Sequence, residues 1–498
     1  MIPFILADAE PSPVAEALNA VLAPVMHACA DASPLTLYAS LAVVVAIVLV
    51  ALKQGVKAKP SAPNAPVMSP GKWGWVAVAV LWVVVMLNYF DRQLLAVLNS
   101  SITEGEGGIS MTQAQFGTVT SAFLIVYAAL SPVGGYMADR FSRKFIILCS
   151  LVVWSVVTWM TGKAESYEEL IFWRGAMGIS EAFYIPAALA LITDYHRGST
   201  RSLATGIHMS GIYAGQMLAG CGAILASDQP YALGWRLTFE SFGFIGVAYA
   251  LVVIFLLHDP KPAAAAEVTE AAEEAKAEEK PAEKAPEFGI GDVLKSFFSS
   301  RAFPLLLVMY CFAGFANWFL MGWYPRLLQD MFGVSEGEAG PMATFWINMA
   351  KYVAVLAAAA VADFWFLRTQ NPNSRAYVPG ICFMLAGPCV IVAMALGMTD
   401  PAILGLGLTV ALVSMQGVAQ GSLDATLMPV LRSHIDERFA ATGYGMLNLT
   451  SVGAGALISW LGGMLKDMNI ELGVPLCLAG VLMVLCGLTF FLLPRKKA

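Results

Sequence analysis

Apolar runs broken by short polar punctuation repeat from residue 36 to residue 494. Each run holds roughly 20 residues, the length an α-helix needs to cross a hydrocarbon layer of about 30 Å. Thirteen such segments are legible. The first is 36–52. Six follow at 73–98, 114–137, 144–162, 168–192, 202–226 and 237–257, and six more at 302–325, 340–363, 376–398, 402–429, 439–465 and 473–494. The pattern predicts an all-α integral membrane protein: two six-helix bundles (73–257 and 302–494) plus one extra N-terminal helix. Residues 1–35 form an extension ahead of that helix, and 258–301 join the bundles. Within this connection, residues 260–287 are Ala, Glu, Lys and Pro with almost no large apolar side chain. Such a stretch cannot bury a core and reads as a disordered linker.

Composition agrees. Of 498 residues 58% are hydrophobic and 13% charged, about half the charged share of a soluble domain. The net charge of −6 says little about partners, because residues 260–287 supply −4 of it. No basic patch interleaved with aromatics points to nucleic acid. The eight cysteines are scattered and mostly lie inside apolar segments, without the spacing of a metal or redox site. No cofactor is expected.

Basic residues near helix ends orient the chain. With 53–72 in the cytoplasm, the short cytoplasmic segments hold sixteen Lys and Arg and the external loops only Lys163, Arg236, Arg326 and Lys466. The N-terminus is then external and the C-terminus cytoplasmic. The halves also echo each other. Arg201-Ser-Leu-Ala-Thr-Gly-Ile-His-Met209 and Arg438-Phe-Ala-Ala-Thr-Gly-Tyr-Gly-Met446 share R-x-x-A-T-G-x-x-M, and Ala138-Asp139 matches Ala362-Asp363. A duplicated helical bundle points to a transporter with its substrate between the halves.

Ionisable residues inside spans are costly, about 2.5–3.5 kcal/mol each on insertion scales, and are functional candidates. Asp91, Arg92, Arg174, Glu181 and Lys351 stand out. Arg92 and Arg174 each lie about six residues from an external helix end, or about 9 Å deep. A guanidinium offers a planar fork to a carboxylate, so these two are candidates for holding an anionic substrate. Salt bridges to Asp91 and Glu181 are the alternative. Glu181, seven residues after Arg174, shares its helix face near the midplane. Lys351, on one face with Asn348, lies near the midplane of the second half. Tyr89, Tyr127, Gln216, Asn317, Trp318, Asn348 and Asn448 are candidates for lining a polar cavity; a helix–helix hydrogen bond is the alternative for each.

The sequence Gly135-Tyr-Met-Ala-Asp139-Arg140-Phe-Ser142-Arg143-Lys144 resembles the signature loop of the major facilitator transporters, with Ser142 where the usual pattern has Gly. Asn88-Tyr-Phe-Asp91-Arg92 resembles the N-Y-x-D-R of the anion:cation symporters, a group of sugar-acid, sialic acid and hexuronate carriers. Arg174, Gly178, Glu181, Ala182 and Pro186 match a second motif of that group, and the spinster-like lipid carriers share much of both. The resemblance implies a proton-coupled importer of a small organic anion (sodium being the other candidate ion), with Asp91 and Glu181 as the proton-linked carboxylates. Gly135, Asp139, Arg140 and Arg143 would latch a cytoplasmic gate. The expected setting is a bacterial inner membrane, with lipids and an anionic solute as partners and a monomer as the unit. The fifth helix lacks the antiporter Gly-Pro-Gly motif, which favours symport or uniport. A lysolipid carrier is the alternative within transport. No nucleophile–base pair or ligand cluster suggests a membrane enzyme, and the intact charged pairs argue against a transport-dead sensor.

Overall fold

The computed structural model describes residues 71–494 apart from 106, 197–199, 228–232, 260–294, 296, 299–300, 372 and 436–439. The extension 1–35, the extra helix 36–52 and most of the linker lie outside the described residues. The first half comprises α1 (Lys72–Val97), a short α2 (Asn99–Thr103), α3 (Gln113–Arg140), α4 (Arg143–Gly162), α5 (Tyr167–Glu181), α6 (Tyr184–Tyr195), α7 (Arg201–Ser227) and α8 (Gly234–Leu256). The second comprises α9 (Ala302–Phe332), α10 (Glu336–Thr369), α11 (Ser374–Thr399), α12 (Pro401–His434), α13 (Ala440–Asp467) and α14 (Gly473–Phe491). With α5 and α6 counted as one pass, twelve passes are described. Eleven are long and apolar enough to cross a membrane by length and composition; α13 is the twelfth.

The repeat seen in the sequence reappears as a repeat of packing. In the first half α1 packs on α7, α3 on α5, α4 on α5, and α4 on α8. The second half makes the corresponding pairs: α9 on α13, α10 on α12, α11 on α12, and α11 on α14. The halves meet through α3 on α13 and α7 on α10, two contacts that the same correspondence interchanges, and through α1 on α9.

Helix ends follow local chemistry. Thr112 and Ser335 form capping boxes with Gln115 and Glu338 at the starts of α3 and α10. Gly333 closes α9 in the left-handed region at φ 65°, where a Cβ is penalised. The expected span 168–192 is two helices. Pro186 has no N–H for the Ala182 carbonyl, and a Cβ on Gly134 of α3 would lie 2.3 Å from that oxygen. The break at 182–183 therefore packs on a glycine.

Most hydrogen bonds between the halves cluster at the end that the charge bias assigns to the outside, here called the outer end. Ser100 donates to Gln329 at 2.7 Å, and Arg326 donates to Ser100 at 2.8 Å and Glu104 at 2.7 Å. Ser101 bonds Glu336. Asp467 of α13 accepts from the Gln113 and Ala114 amides of α3 at 2.9 and 2.8 Å. Toward the other end, among the described residues, the halves are linked by the hydrogen bond from Tyr213 to Asp424 at 3.3 Å. Among the described residues, these bonds tie the two halves together at the outer end.

Candidate functional site

The charged residues of the first half converge. Arg92, near the end of α1, donates through Nε to Glu181 at the end of α5, and both are buried. The Asn88 amide, one turn before Arg92, lies beside the same carboxylate. The Arg92 guanidinium is enclosed by aromatic faces: its carbon lies 4.5 Å from the Tyr89 ring centre, 5.1 Å from Phe123 and 4.4 Å from Tyr127. Cation–π contacts of this kind, desolvated, contribute about 2 kcal/mol. The close approach of α5 to α3 that builds this cage depends on Gly178, where a Cβ would lie 2.7 Å from the Phe123 carbonyl.

Arg174, on α5, is beside Arg92 as their depths required: its Nη2 donates to the Arg92 carbonyl at 3.4 Å. Yet it has no carboxylate in ion-pair contact. Its Nη1 meets the Met177 sulfur at 2.9 Å and its Nε has no partner. Glu181 and Asp91 act on it only from a distance. Asp91 turns toward α4 and accepts from Thr158 at 3.2 Å, leaving its other oxygen unpartnered. Of the four charges, Arg92 and Glu181 are thus paired, and Arg174 and Asp91 are buried with capacity to spare.

A second group lies in the other half. A cavity is lined by Asn317, Met321, Thr344, Asn348, Lys351 and Gln416, with Gln93 from α1. Lys351, 4% exposed, donates to Asn317 at 2.9 Å. Close packing of α12 on α10 fixes its position, since Cβ atoms on Gly417 and Gly421 would lie 2.3 and 2.4 Å from the Ile347 and Lys351 carbonyls. Asn348 donates to the Thr344 carbonyl at 2.8 Å. Gln216 is buried against the Met321 sulfur at 3.7 Å, and Gln93 donates to the Met321 carbonyl at 2.8 Å.

Trp318, next to Asn317 on α9, belongs to the apolar cluster that also holds Phe123 and Tyr127. One turn of α9 therefore joins that cluster and holds Lys351. Asn448 is half-buried on α13 and makes no hydrogen bond to either. Gly135, Asp139 and Arg140 belong to the last turns of α3, and their side chains lie outside the described residues. Arg143 pairs with Asp194 of α6. Ser142, the departure from the usual Gly, caps α4 by accepting from the Phe145 amide at 3.2 Å and bonds Asp259.

Sequence reasoning missed Asp424, Gln416 and Gln93. Asp424 is a carboxylate inside an apolar span and met the same criterion that singled out Lys351. The two glutamines had no comparable signal, because a lone amide in a helix more often bridges helices.

The family model described as Major Facilitator Superfamily matches residues 81–459. A D-galactonate transporter of Escherichia coli O6:H1 is 27% identical over 334 residues, covering 65% of this chain and 74% of its own. A hexuronate transporter of Bacillus subtilis is 23% identical over 416 residues, covering 82% and 92%. The protein spinster of Drosophila melanogaster is 28% identical over 193 residues, covering 39% and 31%. In fold, the chain matches a bacterial homolog of the human lysosomal transporter spinster, in its inward-facing and unoccupied conformation, at a TM-score of 0.67 and 21% identity, covering 86% of this chain and 100% of the other.

Proposed function

This chain belongs to the Major Facilitator Superfamily, and on that premise we propose that it imports a small sugar acid by proton-coupled symport. The observation that carries the reading is Arg174: a buried guanidinium, beside a paired Arg92–Glu181, with donors that no carboxylate of the protein occupies. A buried unpaired charge is expensive, so the arrangement calls for an anion from outside the protein. A substrate carboxylate meets that need with bidentate geometry.

The mechanism is alternating access by rocking of the two halves about the central site. With the charge bias as guide, the N-terminus is external, the C-terminus cytoplasmic and the sealed end external. The structure then corresponds to the state that releases substrate inward. In the outward state, protonation of Glu181 breaks its pair with Arg92 and adds a second guanidinium to Arg174. A substrate carboxylate bridges the two, and the neutralised site can reorient. Asp91, facing Thr158, is the second proton-linked carboxylate. On the inner side, loss of the proton restores the Arg92–Glu181 pair and expels the acid. Tyr89 and Tyr127 exclude water around Arg92, while Gln216, Asn317, Trp318, Asn348, Lys351 and Asn448 surround the sugar portion. Asp139, Arg140 and Arg143 act at the inner gate. The protein works as a monomer in a bacterial inner membrane, with the proton rather than sodium as the coupling ion.

Purified protein in proteoliposomes, offered a panel of sugar acids under an inward proton gradient, tests this reading. Gradient-driven uptake of an acid, lost in Glu181→Gln, supports it. Absence of uptake for every acid, together with stabilisation by lysolipids, moves the assignment to an amphiphile carrier of the spinster kind, which the fold match also admits.

A further inference from the structure

Two carboxyl groups of the second half reach across the outer end, and their partners differ in kind. Asp467 is exposed, and its two oxygens accept from the backbone amides of Gln113 and Ala114. An amide N–H only donates, so both oxygens must accept, as those of an ionised carboxylate do. Glu336, the first residue of α10, lies ahead of the apolar run that begins at 340 and is only 7% exposed. One of its oxygens accepts from the Ser101 amide of α2 at 3.1 Å, and the other meets the Ser101 hydroxyl. The Ser100 amide lies beside the same carboxyl group. A hydroxyl can donate or accept. The pairing therefore also fits a neutral acid, whose carbonyl oxygen accepts from the amide and whose O–H donates to Ser101 Oγ.

The surrounding charges decide between the two forms. On α9, Arg326 is engaged by Glu104 and Asp330 and acts on Glu336 only from a distance. Lys466 of α13 pairs with Asp330. These four charges, two of each sign, balance one another and leave no cation over. Glu338, on the same helix as Glu336, is turned to Ser335. Among the described residues no cation is in ion-pair contact with Glu336. Burying an ionised carboxylate without a counter-ion is expensive. The amides at the start of α10 favour a negative charge there, but by much less. When the halves part, Glu336 loses its cover from α2 and meets external water, where a carboxyl group is ionised at neutral pH.

We infer that Glu336 is a proton-binding site of the outer gate, ionised when the halves are apart and neutral when it closes on Ser101, so that closing the outer end takes up one proton from outside. The site is separate from Asp91 and Glu181, and its action does not depend on which solute is carried. Acid then favours the closed outer end, by up to about tenfold per pH unit for a single proton.

The test reads the distance between spin labels on cysteines placed at Glu165 and Met468, exposed at the outer ends of the two halves. It uses the full chain, with its native cysteines replaced, in proteoliposomes without solute. Moving from about pH 8 to about pH 5 is expected to raise the ratio of short to long distances about tenfold or more. The Glu336→Gln side chain donates to Ser101 Oγ and accepts from the Ser101 amide as a neutral acid does, so it is expected to hold the short distance at both pH values. The difference between the two chains separates Glu336 from Asp91 and Glu181. A Glu336→Gln chain that shifts to the long distance, or that keeps the wild-type response to pH, overturns the inference. So does a fall in the short-distance fraction when the wild type is acidified, which decides even if the variant cannot be purified. The sugar-acid reading rests on uptake and stands or falls separately.

Discussion

The two halves of this protein share a packing scheme but bury charge differently. In the first, two guanidinium groups and two carboxylates sit among aromatic faces, and one pair has closed on itself. In the second, the Lys351 ammonium sits among amides while Asp424, on another helix, is held by Gln420 and Tyr213. Duplication thus supplied one scaffold, and side-chain chemistry divided the work. The first half can exchange partners between Arg and Glu, as proton coupling requires. The second has no ion pair at Lys351 to exchange and is suited to recognition.

The largest effect expected from breaking this contrast lies at Arg174. Arg174→Gln removes the guanidinium proposed to hold substrate and should reduce uptake about a hundredfold or more, the scale of a lost charge-assisted contact. Arg174→Lys keeps the charge but not the fork; its KM should rise about tenfold while its maximal rate changes less. If Lys and wild type transport alike, the bidentate contact is wrong.

Next comes the break between α5 and α6. Gly134→Ala places a Cβ against the Ala182 carbonyl and should destabilise the first half by about 1–3 kcal/mol, seen as a lower unfolding temperature in detergent. An unchanged temperature would mean that this close approach does not hold the break in place.

The outer seal gives a smaller effect. Arg326 links Ser100 and Glu104 of one half to Asp330 of the other. Arg326→Ala should shift the population toward the outward-open state, raising labelling of a cysteine at Met321 by an impermeant thiol reagent several-fold. Unaltered labelling would show that the seal rests on helix packing alone. The smallest effect is Asp467→Asn. It weakens the cap on the α3 amides by about 0.5–1 kcal/mol and should change labelling in the same direction, by less.

Much of the fold was legible because the bilayer restricts the options. A span must satisfy its own backbone, so apolar run length alone located the passes and the repeated motif paired the halves. The break after Glu181 was not legible, since it depends on the Ala182 carbonyl, left without a partner by Pro186, packing on Gly134 of another helix. At the site, Arg92, Arg174 and Glu181 were found because charge inside a span is costly; depth placed the two guanidinium groups at one level, and helix periodicity put Glu181 on the face of Arg174. Which Arg would hold Glu181 was undetermined, because helix rotation decides it. Asp91, although adjacent to Arg92, turns to Thr158 on another helix. Trp318 illustrates the limit for uncharged residues: it looked like a cavity polar group, but it joins the apolar cluster that holds Phe123 and Tyr127. The four cations that the charge bias assigns to the outside all have partners in the protein. Lys163 meets Glu240, Arg236 caps carbonyls of the α4–α5 turn, and Arg326 and Lys466 converge on Asp330.

The central claim is that Glu181 exchanges a proton when Arg92 takes substrate. Its most direct test is proton movement itself: protein in lightly buffered proteoliposomes, no imposed gradient, and external pH followed as a sugar acid is added. Wild type should alkalinise the medium as acid and proton enter together, and Glu181→Gln should exchange labelled for unlabelled acid without moving protons. Alkalinisation that persists in Glu181→Gln, or acid uptake by wild type with no pH change, would contradict the account.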